Sequence, residues 1–167
     1  ELIAHFKAVA AATNLPIMLY NNPTSYRVNI GIESLAKLVE VDNIVAIKES
    51  AADTRRYTDL INAYGDRFHV LAGLDDVALE GMMLGACAWI SGLTSAFPQE
   101  SVELVKAFKA GDMARADRLR PAGCGLCRTR RKGRNCAAEF FLLRNLRIGR
   151  NLGRGRGSAR SGPPRAW

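Results

Sequence analysis

Short apolar runs and helical stripes alternate along the first 119 residues of this chain. Residues 16–21, Pro-Ile-Met-Leu-Tyr-Asn, are apolar until they end in polar side chains ahead of Pro23. That is the pattern of a parallel strand buried on both faces. Residues 33–40 place Leu35, Leu38 and Val39 on one helical face, with Glu33 in the first turn, where the helix dipole favours an acid. A second apolar run covers residues 43–48. Asp53 then reads as the N-cap of a helix through Tyr64, with Gly65 as its stop. Residues 68–72 form a third run ending at Gly73. Asp75 or Asp76 opens a helix to Leu84, followed by Gly85. Residues 88–91 form the fourth run, and Pro98 opens an amphipathic helix reaching Ala110. The residues after Glu1 are helical in character.

Four strand–helix units therefore follow one another, their strands beginning 20–27 residues apart. Apolar strands alternating with helices predict an α/β fold with a parallel sheet and right-handed crossovers. A doubly wound sheet and a (β/α)8 barrel both fit, and four units are half of such a barrel. No apolar run approaches the ~18 residues that a spanning helix needs, and nothing at the start has the make-up of a secretory leader. These features point to a cytoplasmic chain without a membrane partner. Because the sequence opens at Glu1, directly in helical sequence, a preceding segment is expected.

Charge divides the chain in two. Residues 1–119 carry 11 Lys and Arg against 15 Asp and Glu, a net −4, whereas residues 120–167 carry 13 against one, a net +12. Eight of the 15 glycines and three of the six prolines also fall in this last stretch. The composition predicts a folded domain over 1–119 and a disordered basic tail over 120–167. The abruptness of the change is what a reading-frame shift in GC-rich codons would give. Cys124, Cys127 and Cys136 make an incomplete zinc pattern, with no histidine nearby and no second Cys-x-x-Cys, so no metal site is expected. The Arg-Gly run at residues 153–157 would bind nucleic acid only nonspecifically, through phosphate. Cys87 is expected to be a small buried filler, Met82 and Met83 to face the core, and His5 and His69 to have core or surface roles.

Parallel α/β folds place their chemistry at the carboxyl ends of the strands. Tyr20 and Asn21, Lys48 and Glu49, Gly73 with Asp75, and Ser91 stand there. Lys48 ends the apolar run Ile44-Val45-Ala46-Ile47. Burial lowers a lysine's pKa, and a neutral amine is the nucleophile that condenses with a carbonyl. Tyr20 ends the neighbouring strand and could relay a proton. On composition and periodicity alone the plainer reading, a lysine reaching water and a tyrosine capping a core, is the favoured one.

Tyr20-Asn21-Asn22-Pro23, the stretch from Asn43 to Ser50, Gly73-Leu74-Asp75-Asp76 and the stretch from Gly85 to Ser91 together resemble the dihydrodipicolinate synthase / N-acetylneuraminate lyase family. The marks are separated by 28, 25 and 17 residues, and the resemblance covers residues 1–119. It implies the second half of a (β/α)8 barrel and a Schiff-base lyase acting on pyruvate or another 2-oxo acid without a cofactor, in a homo-oligomer. By position, Lys48 resembles the imine-forming lysine and Tyr20 the proton-relay tyrosine. Gly73 and Ile90 match positions that hold the 2-oxo acid. Ser50 and Asp75 match positions contacting substrate hydroxyls in the sialic acid lyase branch. Ser25 stands where dihydrodipicolinate synthases commonly carry an arginine that grips a carboxylate, with Arg27 two residues on. That departure brings in a sugar acid or a hydroxyproline-derived substrate as alternatives. The family's Gly-Thr-Thr-Gly-type loop has no counterpart here. A reading of another class is an inactive fragment whose basic tail binds nucleic acid.

Overall fold

All four apolar runs are strands, and each is followed by helix. In the computed structural model, which describes residues 1–120, β1 covers Ile17–Asn21, β2 Ile44–Glu49, β3 His69–Ala72 and β4 Ala88–Trp89. The helices are α1 (Leu2–Ala11), α2 (Pro23–Tyr26), α3 (Ile32–Ala36), α4 (Arg55–Tyr64), α5 (Ala78–Met83), α6 (Pro98–Lys109) and α7 (Met113–Leu119). Beyond Arg120 the tail, with its predicted disorder, its three cysteines and its Arg-Gly run, lies outside the described residues. Among the described residues no helix is long and apolar enough to cross a membrane.

The strands add in chain order, β1-β2-β3-β4, and every pair is parallel. A doubly wound sheet reverses its direction of growth partway through, on the far side of its first strand, as in the order 3-2-1-4-5-6. Successive additions on one side, joined by right-handed crossovers, keep the helices on a single face, as in a barrel wall. The core shows this segregation. Leu19, Ile47, Val70, Ala72 and Trp89 pack against Leu35, Leu38, Tyr57, Leu60 and Leu104 of the helical layer. On the opposite face Ala46, Leu71 and Ile90 form a separate cluster with Met18 and Ala88, and no helical residue belongs to it. The register aligns Tyr20 with Lys48, Lys48 with Leu71 and Leu71 with Ala88, so the ends of the strands are level.

Several boundaries differ from the sequence reading. Helix α3 ends at Ala36, and residues 37–40 continue as turns. Leu38 N–H reaches back only to Leu35 O (2.8 Å), while Arg67 takes the Val39 and Val41 carbonyls at 2.7 and 2.9 Å. Leu35 and Leu38 stay fully buried all the same. Asp53 lies one residue before the cap position, yet its Oδ1 still accepts the Arg55 N–H at 3.1 Å. Strand β4 stops at Trp89, because a 3₁₀ turn at Leu93–Ser95 draws the chain away from the sheet. Thr94 N–H and Oγ1–H both return to Ser91 there.

Helices α2 and α7 lie outside the elements that periodicity predicts. Each is capped by a side chain, Asn22 accepting from Ser25 N–H and Asp112 from Arg115 N–H. Cys87 is exposed rather than a buried filler. Of the methionine pair, Met82 is in the core while Met83 faces out.

Candidate active site

The level strand ends bring Tyr20 and Lys48 side by side on the face turned away from the helices. Both residues occupy the same row of the sheet, and in parallel strands residues aligned in this way project to the same side. Lys48 is 3% exposed, and its Nζ lies 4.1 Å from the centroid of the Tyr20 ring. The Tyr20 hydroxyl accepts a hydrogen bond from Asn22 Nδ2 at 2.9 Å. Asn22 is itself fixed, since its Oδ1 caps α2. The exposed Tyr26 of α2 packs edge-on against Tyr20, centroids 5.6 Å apart. Tyrosine and amine are thus held in contact, with the phenol oxygen tied to a loop rather than loose in solvent.

Gly73, just beyond β3, passes so close to this pair that a side chain has no room. A Cβ there would fall on the Ser50 hydroxyl and lie 2.8 Å from Lys48 Cγ and 2.9 Å from the Glu49 carbonyl oxygen. Its N–H donates to that same carbonyl at 2.8 Å. Ser50 is buried beside it, and its Oγ makes no hydrogen bond within the described residues. Ile90 is buried on the same face as Lys48, in the cluster with Ala46 and Leu71, and its N–H donates to Ala72 O at 2.8 Å. Lys48, Tyr20, Gly73, Ser50 and Ile90 therefore gather around one end of one sheet face. Asp75 is also buried. Its Oδ2 accepts the Leu93 N–H at 3.1 Å, which ties the loop after β3 to the loop after β4.

Sequence reasoning missed what lies behind this pair. Asn21 and Glu49 follow Tyr20 and Lys48, so the two-residue period turns them to the helical side. The Glu49 carboxylate is fully buried there. Asn21 Nδ2 donates to both of its oxygens at 2.9 Å, Ala51 N–H to Oε1 at 2.7 Å, and Arg56 to Oε2 at 3.1 and 3.2 Å. The Glu49 carbonyl also accepts Tyr57 O–H at 3.1 Å. Burial, and then the nearby Glu49 charge, push the Tyr57 hydroxyl's pKa up, so it remains a donor. A signal was available: a carboxylate on the helix-facing side of a parallel strand demands a partner. Among the described residues no group of three or more His, Cys, Asp or Glu side chains is placed to hold a metal ion.

A family model, that of the dihydrodipicolinate synthetase family, matches residues 1–135. The chain belongs to this family. Among the relatives of this dihydrodipicolinate synthetase-family chain, the 4-hydroxy-tetrahydrodipicolinate synthase of Pelobacter propionicus is 39% identical over 118 residues, which are 71% of this chain and 41% of the relative. That of Exiguobacterium sibiricum is 42% identical over 118 residues, 71% of this chain and 40% of the relative. The crystal structure of dihydrodipicolinate synthase from Aquifex aeolicus superposes with a TM-score of 0.73 at 36% identity, covering 80% of this chain and 46% of that one. The chloride-inhibited Acinetobacter baumannii enzyme, complexed with pyruvate, gives 0.72 at 33% identity with the same coverage. This chain spans about two fifths of the curated relatives' length. The four-stranded parallel sheet is accordingly part of a (β/α)8 barrel. In this family member Ser25 lies on α2, and Arg27 caps that helix in the left-handed region at φ 56°.

Proposed function

We propose that this chain carries the lysine-bearing half of a Schiff-base lyase acting on pyruvate or a related 2-oxo acid. The observation that carries the reading is the contact of Lys48 with Tyr20 over a glycine that admits no side chain. In the proposed chemistry the Lys48 amine adds to the keto carbon, and the carbonyl π pair moves to oxygen, which takes up a proton. The carbinolamine then loses water, leaving an imine that withdraws electrons from the neighbouring carbon. Tyr20, with its hydroxyl held by Asn22, is suited to carry the protons these steps exchange. Gly73 would let the substrate's carboxyl end approach the backbone, and Ile90 would wall the other side. Ser50 offers a buried hydroxyl without a partner, suited to a polar group on the substrate. Asp75, whose carboxylate holds the Leu93 amide, would act chiefly by fixing the two loops at the rim.

The similar Acinetobacter baumannii enzyme, solved in complex with pyruvate, favours pyruvate as the 2-oxo acid. Ser25, at the place where dihydrodipicolinate synthases commonly have arginine, favours a second reading for the co-substrate, a sugar acid or pyrroline carboxylate. The parent enzyme is proposed to be a cytoplasmic homo-oligomer working without a cofactor. Borohydride reduction in the presence of pyruvate, followed by digestion and mass spectrometry, tests the reading. The adduct is expected on the peptide containing Lys48 and lost in Lys48→Ala. An adduct confined to another lysine, or none at all, overturns it.

A further inference from the structure

We infer that Glu49 and Arg56 are positioning residues for the Lys48–Tyr20 pair, holding it in contact from the opposite side of the sheet. The inference rests on the Schiff-base reading above and goes beyond it, because neither residue faces the substrate side. Asn21 and Glu49 are aligned partners on β1 and β2, one residue beyond Tyr20 and Lys48. The Asn21 amide bridging both Glu49 oxygens therefore fixes the register of the two reactive side chains at its final step. A slip of one strand against the other would separate amine from phenol and break this bridge together.

Glu49 is where the surrounding loops meet. Its carboxylate binds the Ala51 amide in the loop leading to α4, and Arg56 within α4. Its carbonyl binds the Gly73 amide after β3 and the Tyr57 hydroxyl of α4. Asn21 Oδ1 accepts the Ile30 N–H, and Arg56 reaches the Ile30 carbonyl, both at 2.9 Å. Strand β1, the loop leading to α4, α4 itself and the segment after β3 are thus tied to this one residue. The ion pair is nearly dry, the two side chains being 0% and 12% exposed. Removing either partner leaves a buried charge uncompensated. Such a pair contributes little net stability beyond what well-packed apolar residues would give, whereas its directional bonds fix geometry. A displacement of about 1 Å in a reacting group can cost on the order of a hundredfold in rate.

The test follows the borohydride-trapped pyruvate adduct at Lys48 in the full 167-residue chain, as wild type, Glu49→Gln and Arg56→Lys. Rates are taken against pyruvate concentration and normalised to folded protein by circular dichroism. Glu49→Gln is expected to lower the limiting trapping rate by about tenfold to a hundredfold, with half-saturating pyruvate moving less than about threefold. Arg56→Lys keeps a cation in reach of Glu49 but not the two-pronged contact, and should fall between the two. Should Glu49→Gln not fold, the same split in Arg56→Lys decides. Limiting rates per folded molecule equal to wild type in the folded variants overturn the inference and leave the Schiff-base reading standing. Absence of any adduct in the wild type overturns both.

Discussion

At the scale of single residues, Gly73 shows how the site depends on what is missing from a side chain. Its backbone leaves no space for a methyl group between Lys48 Cγ and the Glu49 carbonyl. The carbonyl cannot retreat, since it already holds Gly73 N–H and Tyr57 O–H. Gly73→Ala is therefore expected to destabilise by about 1–3 kcal/mol and to suppress trapping at Lys48. Gly31→Ala is the matching control, because a Cβ there meets nothing within 4 Å and its φ of −64° suits any residue. Gly31 is the N-cap of α3, where alanine is poorer than glycine, but the lower unfolded-state entropy offsets this, so stability should change by less than about 1 kcal/mol. Urea midpoints measure both, and equal midpoints would show that the space at Gly73 is not limiting. Lys48 and Tyr20 could be read from the sequence because each is a polar residue ending an apolar run. Gly73's steric role could not, because it depends on a residue 25 positions earlier. Glu49 stood in plain view beside Lys48, and only the two-residue period of a strand separates their duties.

At the scale of elements, the long periodic segments could be read and the short ones could not. Helix α6 runs Pro98–Lys109, close to its predicted span, because twelve residues carry a full amphipathic stripe. Helices α2 and α7, of four and seven residues, are too short for periodicity, and only their start signals, Asn22 with Pro23 and Asp112, mark them locally. The shortened α3 has a cause outside its own sequence. Arg67, between α4 and β3, donates to the carbonyls of Val39, Val41 and Ile44 at 2.7–2.9 Å, and its guanidinium stacks 4.5 Å over Phe68. One side chain thus fastens the link from α3 to the start of β2. Arg67→Met would keep the apolar stem and strip three carbonyls of their donor, so it should cost about 2–4 kcal/mol. Chemical denaturation measures this loss. A change under about 0.5 kcal/mol would mean that water replaces the guanidinium without penalty.

At the scale of the whole molecule, strand order settled what periodicity had left open. A four-unit α/β pattern is common to barrels and doubly wound sheets, and only the direction of each successive crossover separates them. The order that makes a barrel wall also leaves β1 and β4 without an outer partner strand among the described residues. Unpaired edges of parallel strands invite pairing with another chain. The 167-residue chain produced alone is accordingly expected to self-associate at micromolar concentration in sedimentation velocity. A single monomeric species that melts cooperatively would contradict this. Salt separates two driving forces. The net charge of +8 repels copies from one another, so association through strand edges and apolar faces should persist or strengthen as salt screens that repulsion. Association through the basic residues of 120–167 meeting the net −4 of residues 1–119 would instead dissolve with added salt. Assembly that disappears between low and physiological ionic strength would therefore shift the cause from the open sheet to the charge asymmetry of the chain.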